Sequence, residues 1–423
     1  MADHGLSSKD PLESARKPII IIGSGCTGLA IAQGLKKAGI EAIVFEKNPA
    51  VYSPGERDWN MGLHWAIPVL KSLIPDSAVE SLQSVQVDPN TPTKAVDVLS
   101  FLNGKTSEVM TAMEIPFFHR LRRSKLRALL AKDLDVRWNK KLIDIKFADS
   151  PEDGLTAIFE DGEQIEASMI IGADGARSRT RNLLVGPEAA SNTRLPYAAS
   201  FIQTKFNREQ ALFLRKFHPL YIASAHPDNL FAFFGLQDAP DADEPEDWTF
   251  FFYVSWNSSL EDQEKEARTF TNKDRLEQVS TLGKKYCEPW KSAYEWVSED
   301  QPTWYFGLSV WDPSTPEHAW DNKSGRVTLV GDAAHPMTYQ RGQGLNHSIT
   351  DAGVLVNTLV SKSATAGLTP QIQKEAVDVY EAEMKARAGE EVRLSVLNTT
   401  MLHDWQKVMS SPVFKGGLSA GSS

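Results

Sequence analysis

Three short segments hold residue types at spacings that could do chemistry. The first is Gly23-Ser24-Gly25-Cys26-Thr27-Gly28, which follows an apolar run and opens a helical pattern. In such a loop Gly23 permits a tight turn, Gly25 lets a pyrophosphate approach the backbone, and Gly28 lets helix and strand pack closely. The helix N-terminus, with Cys26 and Thr27 in its first turn, offers free N–H groups and about half a positive charge to phosphates. Glu46 ends the next apolar run and is placed to accept hydrogen bonds from a ribose diol; Lys47 follows it. An acid there favours an unphosphorylated adenosine ribose, hence FAD or NAD over NADP at this loop. The plain alternative is a glycine-rich turn that binds nothing.

The second segment is GADGARSRTR (172–181), where Asp174 and Gly175 follow a buried strand pattern. Alone it reads equally as a strand-ending turn with a solvated basic flank. The third runs from Gly325 to Gly353. Asp332 sits at the end of a strand pattern, where a carboxylate could hold a sugar or ribityl hydroxyl. Pro336 stiffens the loop. Gly342 and Gly344 allow backbone N–H groups to face a ligand, and Leu345 and Asn346 lead into a helix. A helix N-terminus aimed at a heterocycle edge stabilises negative charge there. His335 is read as a structural residue of this loop, and Cys26 as a small packed residue.

The elements that must position these loops can be read from periodicity. Residues 18–22 form a buried strand, 26–38 a helix stopped by Gly39, and 41–45 a second strand, giving a β-α-β unit. Residues 116–134 read as one long helix, and 155–159 and 164–171 as strands around the Asp161-Gly162 turn. From 191 to 256 the chain turns to aromatic strand patterns of an antiparallel sheet, with a charged helix over 261–286 attached. Residues 326–330 return to a buried strand, and 371–402 read as a charged helix covering an outer face. The domain reading is a mobile tail (1–17), a discontinuous nucleotide-binding domain (18–190 and 311–365), a substrate domain (191–310) and a C-terminal helical segment (366–423).

Bulk properties exclude several classes. The chain has 423 residues and a formal net charge of -10, and its nearest basic block, RLRRSKLR (120–127), is too short for a phosphate-backbone partner. Two cysteines, Cys26 and Cys287, cannot build a disulfide framework or a zinc site, so no metal is expected. Residues 1–17 lack the apolar core of a signal peptide, and no window of eighteen apolar residues occurs. The C-terminal residues carry no retention or peroxisomal signal, so a cytoplasmic protein without a membrane span is expected.

Together and in this order, the three loops resemble those of the single-component FAD-dependent aromatic hydroxylases, the monooxygenases that include salicylate and para-hydroxybenzoate hydroxylases. The resemblance spans most of residues 19–388; RDWNMGLHW (57–65) and EEVRLSVLNTTMLHDW (390–405) look most like fungal secondary-metabolite members. It implies an α/β fold: a Rossmann-like FAD-binding domain of the GR2 type, an inserted mostly antiparallel β-sheet substrate domain, and C-terminal helices. It implies FAD held by the three loops and by Arg123 of an R-x-x-L helix (Arg123 to Leu126), with the 172–181 loop also near the reductant. NADPH or NADH would bind in passing, since no second glycine motif exists. Reduced flavin would then take up O2 as a flavin hydroperoxide and pass one oxygen atom to an aromatic or polycyclic small molecule. The protein would act as a monomer or homodimer.

On the substrate side the candidates are Arg57, Trp59, His64 and Tyr339. His64 could deprotonate a phenol, its ordinary pKa lying near neutrality; otherwise it packs in the core with Trp65. Arg57 could instead neutralise cofactor phosphate. Met337 to Arg341 replaces a proline found soon after the His-Pro step in many relatives, so Tyr339 and Arg341 are placed to face substrate or shield the flavin. The aromatic stripe of 231–253 reads as sheet core, some of its rings lining the flavin-facing site. Trp65 to Pro68 is similar in part to a flavin-halogenase signature but lacks its paired tryptophan. Rival readings are an epoxidase, a Baeyer–Villiger-type oxygenase or a halogenase, and, from another class, a flavin- or ligand-binding protein without catalysis.

Overall fold

A computed structural model describes residues 17–52, 57–364 and 367–418. The tail expected over residues 1–17 lies outside them except for Lys17.

Ile19–Ile22 is a fully buried strand at the centre of a five-stranded parallel sheet. Its neighbours are Met169–Gly172 on one side and Ala42–Phe45 on the other, with Val327–Leu329 and Val136–Arg137 at the edges. Four consecutive isoleucines suit this place because a central parallel strand is covered on both faces. The helix Cys26–Lys37 covers one face, packed with the long helix Gly344–Ser363. A three-stranded antiparallel sheet, Leu142–Phe147, Leu155–Phe159 and Gln164–Ala167, closes the other.

The second domain is a seven-stranded sheet, antiparallel apart from one parallel pairing of Ala223–Ala225 with Phe101–Asn103. Its side chains alternate between two cores. Ile202, Phe234, Phe250, Phe252 and Val254 face helices on the outer side. Phe201, Tyr221, Phe231, Phe251 and Tyr253 face the nucleotide-binding domain. The aromatic run is thus both sheet core and a wall towards the site, as period-two patterning of a sheet covered on both faces requires.

Three expectations are corrected. Residues 116–134 are not one helix: His119–Arg122 is a strand paired with Asn60–Leu63, and only Arg123–Leu130 is helical. Phe117 at φ 48° breaks any helix there, and Asp58 accepts the Ser124 N–H and so starts the shorter one. Residues 261–286 form two helices, Leu260–Thr269 and Asn272–Gly283, divided where Thr271 and Asp274 build a capping box. The strands Val96–Asn103 and Val109–Pro116, placed by sequence in the nucleotide-binding domain, complete the second sheet. The helix Pro370–Leu402 matches its expected span but is not merely an outer cover: it packs along Gly344–Ser363 and buries Tyr380, Met384 and Ala388.

Among the described residues no helix is long and apolar enough to cross a membrane, and no group of three or more His, Cys, Asp or Glu is arranged to hold a metal ion.

Candidate active site

Parallel pairing decides where the three loops go. Gly23 follows Ile22, Glu46 follows Phe45, Asp174 follows the strand ending at Gly172, and Asp332 follows the strand ending at Leu329. All four strands point the same way, so their following loops gather at one edge of the sheet, where ligands bind in open α/β folds. The loops also touch. A side chain at Gly23, whose φ is +109°, would collide with the Ala173 carbonyl oxygen at 2.4 Å, and one at Gly331 would meet the Thr27 hydroxyl at 2.8 Å.

The glycine loop is braced from below. The buried Glu46 carboxylate accepts from the Ser24 N–H and hydroxyl, both at 2.9 Å, and from the Asn48 N–H at 3.0 Å. The fully buried Arg127, unremarked in the sequence, donates through Nε to the Ser24 carbonyl at 2.9 Å. The positive charges of Arg123 and Arg127 both bear on Cys26, whose thiol burial pushes up. Arg123 therefore reaches the first turn of the glycine-loop helix; its guanidinium lies 4.3 Å over the half-exposed Trp59 ring. Lys47 is exposed.

Asp174 is occupied as a cap. Its carboxylate accepts from the backbone N–H of Arg179 at 2.7 Å and of Thr180 at 2.9 Å, so it holds the start of the following helix. Arg181, also fully buried, ties this loop to the third: it donates to the carbonyls of Ala176 at 2.7 Å and Ala333 at 3.0 Å. Burial pulls its pKa down to about 10, so it stays charged at neutral pH.

In the third loop Asp332 is open to solvent, yet protein surrounds it closely enough that desolvation pushes its carboxyl up, against the pull of His335, Arg123 and Arg181. A group both exposed and enclosed in this way lines a cleft. His335 is fully buried with its Nε2 2.6 Å from Asp351, the structural place expected for it. Asp351 also accepts from the Gly331 N–H at 2.7 Å and from Arg387 at 2.8 Å. Burial alone would raise the Asp351 carboxyl, but His335 and Arg387 hold it down at about 2. The Asp332 turn is thus anchored to the C-terminal helix. Buried Pro336 accepts the Trp311 N–H at 3.0 Å. Asn346 spends its side chain on the protein: Oδ1 accepts the His64 N–H at 3.1 Å, and Nδ2 donates to the Gly62 carbonyl at 3.3 Å.

The residues fit FAD. The helices Cys26–Lys37 and Gly344–Ser363 both begin without a side-chain cap and without an acid in the first turn. Their first N–H groups are therefore left for an external acceptor. A Cβ added at Gly175, Gly342 or Gly344 would meet nothing within 4 Å, and one at Gly25 only the Ala173 oxygen at 3.9 Å. Open space along these backbones, with Asp332 and Arg123 beside it, is a cradle for a long dinucleotide. Leu345 packs against the domain core behind it.

On the substrate side Tyr339 reaches across to the second sheet, meeting the rings of Tyr253 at 5.0 Å and Phe201 at 5.4 Å edge-on. Its hydroxyl is buried without a partner, and burial raises its pKa well above the usual value. Arg341, buried, lies 3.4 Å from Glu391 of the C-terminal helix, and its Nε and Nη1 make no hydrogen bond among the described residues. His64 is buried beside Phe118, with Nε2 unpartnered, and desolvation lowers its pKa to about 4. The expectation of a base titrating near neutrality is corrected: His64 is neutral at physiological pH and a weak base. Arg57 is exposed, immediately before the buried Asp58. A shallow depression lined by Glu209, Leu212, Arg215 and Lys216 lies on the far side of the second sheet and holds none of these groups.

Comparison with known proteins finds similarity to flavoproteins. Residues 132–395 match a family described as FAD binding domain, a span that leaves out the glycine loop. The FAD-dependent monooxygenase cctM of Talaromyces islandicus is 35% identical over 405 residues, covering 96% of this chain and 98% of that protein. The FAD-dependent monooxygenase phnB of Penicillium herquei is 36% identical over 410 residues, covering 96% of each. In fold the chain is similar to Klebsiella pneumoniae HpxO, solved with FAD and uric acid, at a TM-score of 0.70 and 18% identity over 93% of this chain and 91% of that one.

Proposed function

Because the chain belongs to the FAD-dependent monooxygenases, with FAD as its cofactor, we propose that it uses NADH or NADPH and O2 to hydroxylate an aromatic or polycyclic small molecule of secondary metabolism. The observation that carries this reading is the aromatic wall of the second sheet, with Tyr339 of the flavin-side loop set against Tyr253 and Phe201. A flat apolar ring is the ligand such a wall suits.

Bound FAD would supply the two-electron chemistry that activates O2, one oxygen atom going to the substrate and the other leaving as water. The N–H groups of Gly25 to Gly28 and the guanidinium of Arg123 would hold its pyrophosphate. Glu46 would take the adenosine ribose and Asp332 the sugar or ribityl hydroxyls. The uncapped first turn after Gly342 would stabilise negative charge at the ring edge. Asp174, Asn346 and Asp351 would act one step back, each fixing a loop that touches the cofactor. His64 Nε2 would accept a hydrogen bond from a substrate hydroxyl and so orient the ring, and the second sheet would keep bulk water from the reacting ring.

The test is direct. Purified protein is expected to be yellow and to oxidise NADH or NADPH faster with some phenol or polyketide in a substrate screen. Product mass should rise by one oxygen. Pyridine-nucleotide oxidation that no aromatic compound stimulates would overturn the proposal.

A further inference from the structure

Arg120 is a cation set into the aromatic wall without an acid to balance it. Its neighbours on the chain are balanced: Arg122 pairs with Asp58 and Asp238, and Lys125 with Asp238 at 2.7 Å. Arg120 has no ion pair among the described residues, and its Nε is buried without a partner. Its guanidinium donates to the Asn60 side-chain oxygen and lies 4.8 Å over Phe233 and 5.7 Å over Tyr221. Asn60 is itself locked, its amide donating to Leu236 O and Gln237 Oε1, both at 3.0 Å.

The position is next to the proposed reaction space. A side chain at Gly62 would lie 3.8 Å from an Arg120 terminal nitrogen, and the Gly62 carbonyl is the one Asn346 clamps to the flavin-side loop. Phe233 stacks on Tyr253 at 5.7 Å, and Tyr253 meets Tyr339. Phe118 links His64 to Tyr221 on the other side. A strand places the group: alternation along His119–Arg122 sends Leu121 into the nucleotide-domain core and Arg120 towards the sheet.

Resting on the function proposed above, we propose that Arg120 is a specificity-determining residue that receives an anionic oxygen of the substrate, a carboxylate, phenolate or enolate carried on the aromatic ring. A guanidinium desolvated against ring faces with open donor capacity binds such an oxygen by charge-assisted hydrogen bonds. Burial brings its pKa down only to about 10, so the charge persists at neutral pH.

The test uses FAD-loaded protein and two probes of equal shape, 2-naphthoate and its neutral amide, titrated calorimetrically. Native protein should bind the carboxylate about tenfold tighter or more, as a charged hydrogen bond implies. Arg120→Gln should lose this preference while keeping its FAD content and melting temperature, and Arg120→Lys should retain part of it. The inference fails if neither probe binds, if no preference exists, if Arg120→Gln keeps it, or if that variant changes FAD affinity instead. Nucleotide oxidation is scored separately, so a protein that prefers the anion but never reduces its flavin sinks the function and spares Arg120.

Discussion

His64 shows how burial alters a role that residue type suggests. With a pKa of about 4 it does not act as a base at pH 7, but its neutral, unpartnered Nε2 can still accept the hydrogen bond of a substrate hydroxyl and orient the ring. His64→Ala is expected to lower turnover roughly 100-fold while leaving FAD bound. The acid limb of the native rate should lie near pH 4. Unchanged single-turnover rates, or a limb near pH 6.5, would remove His64 from substrate positioning. His403 offers a stability counterpart. It is buried between Ser255 and Thr399, and desolvation lowers its pKa to about 4, below the unfolded value near 6.5. A basic group depressed in the folded state contributes its full stability above pH 6.5 and loses it as the pH falls towards 4, because the unfolded chain binds the proton first. The melting-temperature gap between native protein and His403→Gln should therefore narrow from pH 7 to pH 5. A constant gap would contradict this.

Turns and helix ends carry the cofactor, and two glycines separate fold from binding. Gly25 has φ −68° and open space where a side chain would go. Gly25→Val should shift stability by only about 0.5 kcal/mol yet abolish FAD retention on gel filtration. Gly23 has φ +109° and a carbonyl 2.4 Å from the added carbon, so Gly23→Ala should lower the melting temperature as well. Equal effects of the two substitutions on both readouts would show that the loop is structural only. The loops themselves were legible from sequence because a tight turn after a buried strand, a close approach and a helix start are demands on neighbouring residues. The strand His119–Arg122 was not, since Leu121, Leu126, Leu129 and Leu130 also fit a helical face. Its pairing with Asn60–Leu63, more than fifty residues earlier, outweighs that local pattern.

The molecule as a whole joins its cofactor cradle to its C-terminal helix through one buried charged network. Arg387 bonds Asp351 at 2.8 Å, His347 at 2.9 Å and Glu383 at 2.9 Å, and Asp351 holds the Asp332 turn. Arg387→Met should destabilise the protein by about 3–5 kcal/mol, because it strands a buried carboxylate. FAD release on heating should come earlier by a comparable shift. Normal FAD affinity in a folded Arg387→Met protein would show that the helix does not govern the cradle. The same helix leads into residues that close the aromatic face: Leu402, Val408 and Val413 pack there, and the Leu418 carbonyl accepts from Gln343 beside the flavin-side helix.

What contiguous residues could declare was a dinucleotide loop, an acid after the second strand and two further strand-ending turns, since each needs only its own backbone and immediate neighbours. Which groups face one another was settled by packing. Parallel pairing of Ile19–Ile22 with Met169–Gly172, and of that strand with Val327–Leu329, brings residues 150 and more positions apart to one sheet edge. The capture of His335 by Asp351, itself held by Arg387, the turning of His64 into a weak base, and the placing of an unbalanced Arg120 on Phe233 follow from desolvation and long-range contact. Those are properties of an enclosed environment, and no stretch of sequence carries its own environment with it.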